Sequence, residues 1–208
     1  DVTSTCGAPV DELVLVDAKA GFVALHFSQV ETAKNRQVYT AKNGSVCTSS
    51  IPGTLNRSEG DPATGYTDVD NAYTFTGYTY DFYFSEHGRD SIDNAGMAII
   101  STVDYDPDGG CDFENAGWNG AQMIFGTGYA SACDVVGHEL THGVTDHESN
   151  LFYYMQSGAI NEGFSDLWGE FIELTYNPGA PSDRWLMGED LPIGAIRSMS
   201  NPPAYSQP

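Results

Sequence analysis

The chain has 208 residues, 40% of them hydrophobic, which is enough to form a buried core in one domain or two small ones. Its 29 acidic residues outnumber 8 lysines and arginines, and the formal net charge is −21. This charge argues against nucleic acid or an anionic membrane as a partner. No run approaches the roughly 18 apolar residues that indicate a membrane span.

The N-terminal part of the sequence predicts a β-hairpin over residues 10–30, because apolar runs at 13–16 and 22–27 flank a turn. From residue 36 to about 131, β-branched and aromatic residues alternate with Gly and Pro turn signals. This composition predicts a twisted, largely antiparallel sheet with long loops. Residues 97–103 form its clearest strand.

Four cysteines allow three pairings, and in an exported protein they predict two disulfides. Cys111 and Cys133 bracket a glycine-rich stretch, and Cys6 and Cys47 are the remaining pair. No two of them have the spacing of a zinc ribbon or of a redox Cys-x-x-Cys motif.

The most informative stretch is a His-Glu-x-x-His motif at His138, Glu139 and His142. Residues four apart lie on one face of a helix, so the two imidazoles point at one place. Zinc needs such a pair and one more ligand, which leaves its fourth position for water, and Glu139 can reach that water without binding the metal. The alternative is a surface helix with two histidines by chance. A second segment, which contains Glu162, favours zinc because it supplies an acidic ligand.

That second segment predicts a helix beginning near Gly158, with apolar residues at helical spacing on one face. The other face carries the acidic residues Glu162, Asp166, Glu170 and Glu173. The alternative interpretation is that these acidic residues bind no metal and simply form the solvent-exposed face of the helix.

Residues 134–146 and 157–166 together resemble the thermolysin family of secreted zinc endopeptidases. The resemblance extends over residues 38–205 and is most specific in these two segments. It implies an α+β fold, in which a β-rich N-terminal domain with the zinc helix is followed by the start of an α-helical C-terminal domain. It also implies the domain bounds 1–35 for the end of a pro-region, 36–148 for the β-rich domain and 149–208 for the helical part.

The resemblance assigns roles to residues around the metal. It implies His138, His142 and Glu162 as zinc ligands and Glu139 as the general base. Asn161 and Asp166 then hydrogen-bond the outer nitrogens of the ligand histidines, as a ligating imidazole requires. Tyr153 matches the tyrosine that supports the oxyanion.

The same resemblance implies a binding site for a peptide or protein substrate. The Asn115 side chain and the Ala116 carbonyl would hold the substrate backbone at a sheet edge, and Arg197 would hold a substrate carbonyl. A pocket for bulky apolar side chains after the scissile bond would be lined by Val135, Met187, Leu191 and Ile196.

A calcium site is implied as well, with Asp134, Glu170, Glu173 and Asp183 as ligands. Carboxylates converging from two helices and a loop suit Ca²⁺. Leu186 stands where some members have a further carboxylate, so one ion is expected, and Glu189 is a weaker candidate ligand.

The chain departs from the family in three places. The stretch 126–132 is short, and a Cys111–Cys133 disulfide would replace the missing packing. A hairpin of the pro-region is retained, with its junction to the enzyme at residues 32–36. None of the five histidines matches the one that a further C-terminal helical region supplies to stabilise the tetrahedral intermediate.

Two functions follow from these observations. The leading prediction is a secreted zinc endopeptidase. The alternative is a catalytically incomplete scaffold that acts as a structural subunit of an extracellular assembly. Partners beyond the substrate would be a C-terminal fragment or further copies of the chain, covering an exposed apolar face.

Overall fold

The computed structural model describes residues 2–3, 9–10, 12–16, 19–28 and 34–207. The strands are β1 Val2–Thr3, β2 Pro9–Val10, β3 Glu12–Val16, β4 Val23–Ser28, β5 Arg36–Thr40, β6 Thr54–Ser58, β7 Ile99–Val103, β8 Ala116–Trp118, β9 Met123–Phe125, β10 Leu186–Met187 and β11 Arg197–Ser198. The helices are α1 Thr67–His87, α2 Cys133–Glu148 and α3 Met155–Tyr176, and a 3-10 turn follows at Pro202–Tyr205. The α+β prediction is confirmed. Among the described helices, none is long and apolar enough to cross a membrane.

The central sheet has five strands in the order β6-β5-β7-β9-β8. The prediction of a largely antiparallel sheet was wrong, because β5 pairs with β7 and β7 with β9 in parallel. Only β6 and β8, at the two edges, run antiparallel to their neighbours. Parallel pairs need a long crossover, and the segment that contains α1 provides one between β5 and β7. Strand β8 is left with one unpaired edge.

Helix α1 supports the zinc-motif helix from behind. Its buried residues Val69, Ala72 and Tyr80 belong to the main core. The Tyr83 hydroxyl lies 2.8 Å from the Thr141 hydroxyl on α2, so a hydrogen bond joins the two helices inside the core. Helix α1 ends at Gly88, which has a positive φ of 64° and donates its N–H to the Phe84 carbonyl. The aromatic composition of this segment did not by itself indicate a helix, whereas the resemblance to the thermolysin family implies one at this position.

Helices α2 and α3 approach each other closely where two glycines face. A Cβ atom on Gly169 would lie 2.5 Å from the Asp134 carbonyl oxygen, and one on Gly137 would lie 3.2 Å from the Gly169 Cα. Because no side chain separates the two backbones here, side chains from α2 and α3 can converge on one site.

We expect Gly169→Ala to lower the free energy of unfolding by about 1–3 kcal/mol, the usual cost of overpacking, since the clash is with backbone. Gly163→Ala is the matched control on the same helix. Its added Cβ would meet nothing within 4 Å, so alanine's better helix propensity should stabilise by up to about 1 kcal/mol. Urea unfolding of both variants measures the difference. If the two substitutions changed the free energy of unfolding equally, the close approach of α2 and α3 at Gly169 would be contradicted.

The predicted N-terminal hairpin is present as β3 and β4, which pair antiparallel with Val14 opposite His26. Residues 29–33 lie outside the described residues, and they include the first two positions of the predicted pro-region junction at 32–36. The domain boundary after residue 35 therefore stays a prediction.

The predicted Cys111–Cys133 disulfide was wrong. Cys111 is bonded to Cys47, with their Cα atoms 5.0 Å apart, and Cys133 is a free, buried thiol at the start of α2. A bridge between Thr48 and Tyr105 aligns the loop after β5 with the segment after β7, which brings the bonded pair together. Cys6 lies outside the described residues, and its predicted pairing with Cys47 is excluded because Cys47 is already bonded.

Candidate metal centre and peptide cleft

Two histidines from α2 and one glutamate from α3 meet at a single point. The Nε2 atoms of His138 and His142 are 2.9 Å apart, and the Glu162 carboxylate oxygens lie 3.4 Å from the first and 3.5 Å from the second. A tetrahedral ion with ligands at about 2.0–2.1 Å would separate its ligand atoms by about 3.3 Å. The residues present therefore fit zinc in both donor type and spacing.

The outer nitrogens of both histidines are held by neighbouring polar groups on α3. His138 Nδ1 lies 2.8 Å from an Asp166 oxygen, and His142 Nδ1 lies 2.8 Å from the Asn161 Oδ1. With an acceptor at each Nδ1, the Nε2 lone pairs are directed at the convergence point. The Ser165 hydroxyl, which the sequence did not single out, is a further neighbour at 3.2 Å from His142 Nδ1.

Acidic groups make this point favourable for positive charge. Burial opposes protonation of His138, but Asp166 and Glu162 outweigh it and raise the pKa of His138 to about 9. Burial likewise would raise the pKa of Glu162, yet contacts with His138 and Tyr153 lower it to about 2. A cation at the convergence point would be stabilised by the same carboxylates.

Glu139 lies beside the three converging residues and is 7% exposed. Burial raises the pKa of its carboxyl group, against the opposing influence of His138. The backbone N–H of Trp118 on β8 acts in the same opposing sense as His138. Glu139 is thus a buried, comparatively basic carboxylate on the wall of a cleft.

Tyr153 and Arg197 line the same cleft, and each forms a hydrogen bond with a residue at or directly behind the convergence point. The Tyr153 hydroxyl donates to Glu162, and its ring packs edge-on against His142. Arg197 donates two hydrogen bonds to Asp166, at 2.9 and 2.6 Å. Arg197 therefore fixes the carboxylate behind His138 in addition to facing the cleft.

The cleft has a volume of about 460 Å³ and brings together every residue that the sequence predicted for substrate binding. These are Asn115, Ala116, Val135, Met187, Leu191, Ile196 and Arg197. Trp118, Tyr129 and Asp146 also line it and were missed. For Asp146 a signal existed, because it continues the four-residue spacing of His138 and His142 along α2.

A second acidic group lies near the start of α2. Carboxylate oxygens of Asp134, Glu173 and Glu189 are all within 4.8 Å of one another. Burial raises the pKa of Asp134 to about 7, and burial together with Asp134 raises that of Glu173 to about 9. The sequence ranked Glu189 as the weaker candidate, but it belongs to this group, whereas two of the preferred ligands do not.

The two preferred ligands outside this group are Glu170 and Asp183. Both line a cavity of about 310 Å³, which Glu173 and Glu189 also line. Glu170 accepts a hydrogen bond from the Trp185 N–H, and Asp183 accepts from Ala180 N–H and the Ser182 hydroxyl. Within the described residues, one buried oxygen of Glu170 and one of Glu189 have no hydrogen-bond partner. Such oxygens suit a hard cation.

Comparison with known proteins identifies the family. Residues 17–146 match the model described as "Thermolysin metallopeptidase, catalytic domain" and residues 149–208 match "Thermolysin metallopeptidase, alpha-helical domain". The chain belongs to the thermolysin metallopeptidase family. The predicted resemblance is confirmed by this match.

Individual members of the family are similar over most of the chain. "Extracellular metalloprotease" of Pectobacterium carotovorum subsp. carotovorum is 41% identical over 81% of this chain and 50% of its own length. "Bacillolysin" of Bacillus cereus is 36% identical over 100% of this chain and 38% of its own length. The chain thus spans half or less of these relatives.

A solved structure shares the fold. The precursor of protealysin, a metalloproteinase from Serratia proteamaculans, is 36% identical with a TM-score of 0.70. The match covers 83% of this chain and 56% of that one.

Proposed function

We propose that this chain carries the zinc site and the peptide-binding edge of a secreted zinc endopeptidase. The observation that supports this most is the convergence of His138, His142 and Glu162 beside Glu139 on the wall of the cleft. Secretion is supported by the disulfide and by the relative named as an extracellular metalloprotease.

Zinc bound by His138, His142 and Glu162 would supply a Lewis acid for the scissile carbonyl and for an attacking water. Glu139 takes the proton of that water on its carboxylate. Burial keeps this carboxylate more basic than an exposed one, which suits a general base working near neutral pH. The Tyr153 hydroxyl, at the edge of the cleft, would stabilise the oxyanion once it turns from Glu162.

The free edge of β8 would bind the peptide backbone. The Asn115 carbonyl accepts from Gly126 N–H, and Asn119 N–H donates to the Gln122 carbonyl, so these positions face β9. Alternate residues of an antiparallel strand point to opposite edges, so the backbone groups of Ala116 face away from β9. An extended substrate can add to this edge through main-chain hydrogen bonds, whatever its sequence.

The apolar end of the cleft would set specificity after the scissile bond. Val135, Met187 and Leu191 are buried there, and Ile196 is half-buried beside them. A bulky apolar side chain would displace water from these surfaces, whereas a charged one would lose its hydration without a partner.

A calcium ion at the second acidic group is the other part of the proposal. Asp134, Glu173 and Glu189 supply the oxygens nearest to one another, and Glu170 and Asp183 border the cavity that Glu173 and Glu189 also line. A divalent cation would turn the repulsion among these carboxylates into attraction.

We expect one equivalent of zinc in protein kept free of chelators, and hydrolysis of peptides that carry phenylalanine or leucine after the scissile bond. Chelation should remove both zinc and hydrolysis, and added zinc should restore them. Elemental analysis and product mass spectrometry measure the two. Protein without a transition metal would contradict the site itself.

The alternative, a structural subunit, is favoured by one feature of the surface. Phe152, Tyr154 and Met155 are 76%, 60% and 67% exposed in the segment before and at the start of α3. Such a patch suits contact with another protein surface. Zinc bound without any peptide hydrolysis would support this alternative over the endopeptidase.

A further inference from the structure

We propose that Asp146 is a specificity-determining residue that favours a cationic side chain on the N-terminal side of the scissile bond. This inference rests on the endopeptidase function proposed above. It concerns the end of the cleft opposite the apolar pocket, where the sequence predicted no contact with substrate.

Helix α2 places Asp146 relative to the reacting groups. Eleven residues separate Val135 in the apolar pocket from Asp146, which is about 16 Å along a helix, and seven separate Glu139 from Asp146, about 10 Å. An extended peptide covers about 3.3 Å per residue. With its scissile bond beside Glu139, an extended substrate covers this distance of about 10 Å in about three residues, so its first three residues before the scissile bond would run towards Asp146.

The carboxylate of Asp146 is held in one orientation. Its Oδ2 accepts a hydrogen bond of 2.7 Å from the indole N–H of Trp118. The indole lies against Gly143 of α2, where an added Cβ would be 3.3 Å from two ring carbons. A carboxylate fixed in this way loses little conformational entropy on binding a ligand.

The charge of Asp146 is also available to a ligand. In the part of the chain that the structure describes, Asp146 forms no salt bridge, whereas Asp166 is paired with Arg197. Glu162 belongs to the converging metal ligands, and Glu139 is the proposed base. Among these four acidic residues, Asp146 is therefore the one whose negative charge is available to pair with a cationic ligand. The neighbouring indole adds an aromatic surface that suits a guanidinium or ammonium group.

The test is the binding of two peptides that differ only in one side chain, arginine or its neutral isostere citrulline, placed one, two or three residues before a phenylalanine. Binding is measured by fluorescence anisotropy to the zinc-loaded Glu139→Gln protein, so the result does not depend on turnover. The best-placed arginine should bind about two- to five-fold more tightly than citrulline at low salt, because Asp146 is exposed. The preference should fall as salt is added.

Asp146→Asn, made in the same protein, should abolish the preference. The asparagine oxygen can still accept from Trp118, so the wall of the cleft is kept while its charge is removed. Glu86→Gln removes an equal charge from an exposed position on α1 and should leave the preference intact.

Equal binding of the two peptides, a preference that survives Asp146→Asn, or binding of neither peptide would overturn the inference. Hydrolysis by the wild-type chain is followed in parallel. Hydrolysis without any preference contradicts the role of Asp146 alone. A preference that Asp146→Asn abolishes, seen without hydrolysis, supports Asp146 and contradicts the endopeptidase.

Discussion

Glu139→Gln is expected to lower peptide hydrolysis by about 10²–10⁴-fold, the usual contribution of a general base, while zinc stays bound. The glutamine keeps the size of the side chain but cannot accept the proton of the attacking water. Because Glu139 is not among the three converging ligands, the metal site should be unaffected. Initial rates and zinc content, determined on the same preparation, measure both effects.

The matched control is Glu86→Gln, an identical change at an exposed position on α1. It should leave both the rate and the zinc content at wild-type values. Hydrolysis that persisted in Glu139→Gln would show that another group is the base. Loss of zinc together with activity would instead mean that Glu139 helps to bind the metal.

Removal of calcium is expected to lower the free energy of unfolding by about 4 kcal/mol, if the ion is first present at about 1,000 times its dissociation constant. The ion would leave behind Asp134 and Glu173, two buried carboxyl groups whose pKa values burial and nearby carboxylates raise to about 7 and about 9, so that their charged forms are unfavourable in the folded state. Thermal unfolding in calcium-free and calcium-containing buffer, with zinc retained in both, measures the shift.

A Glu173→Gln variant separates calcium binding from a general effect of salt. Without calcium it should be more stable than the wild type at neutral pH, because burial raises the pKa of Glu173 to about 9, so its carboxylate must take up a proton on folding and glutamine does not. With calcium it should gain less, because one ligand charge is gone as well. A melting temperature that does not respond to calcium in the wild type would refute the site.

The convergence of the proposed zinc ligands could be predicted because their arrangement is mostly local. The four-residue spacing of His138 and His142 places them on one face of any helix, and Glu139 follows the first of them. The position of Glu162 depends on how α3 packs against α2, and for that the family resemblance was needed. The structure relates this packing to Gly137 and Gly169, which let the two helices approach.

The proposed calcium ligands were harder to rank, because their order depends on contacts between distant segments. Asp183 and Glu189 both lie in the loop after α3, and both are acidic. Only the path of that loop places Glu189 against Asp134 and Glu173, while Asp183 turns towards Ala180 and Ser182. Residue type alone does not distinguish the two positions.

The family resemblance implied the α+β fold, and the sequence by itself determined the N-terminal hairpin, the two-histidine helix and the chemistry of its acidic neighbour. Each of these last three features depends on periodicity or spacing within one segment. The tertiary structure alone decided the parallel pairings of β7, the Cys47–Cys111 bond and the opening of Asp146 into the cleft. Each of these contacts joins segments that are distant in the chain. The packing of the whole core decides which segments meet, and no local sequence pattern encodes that packing.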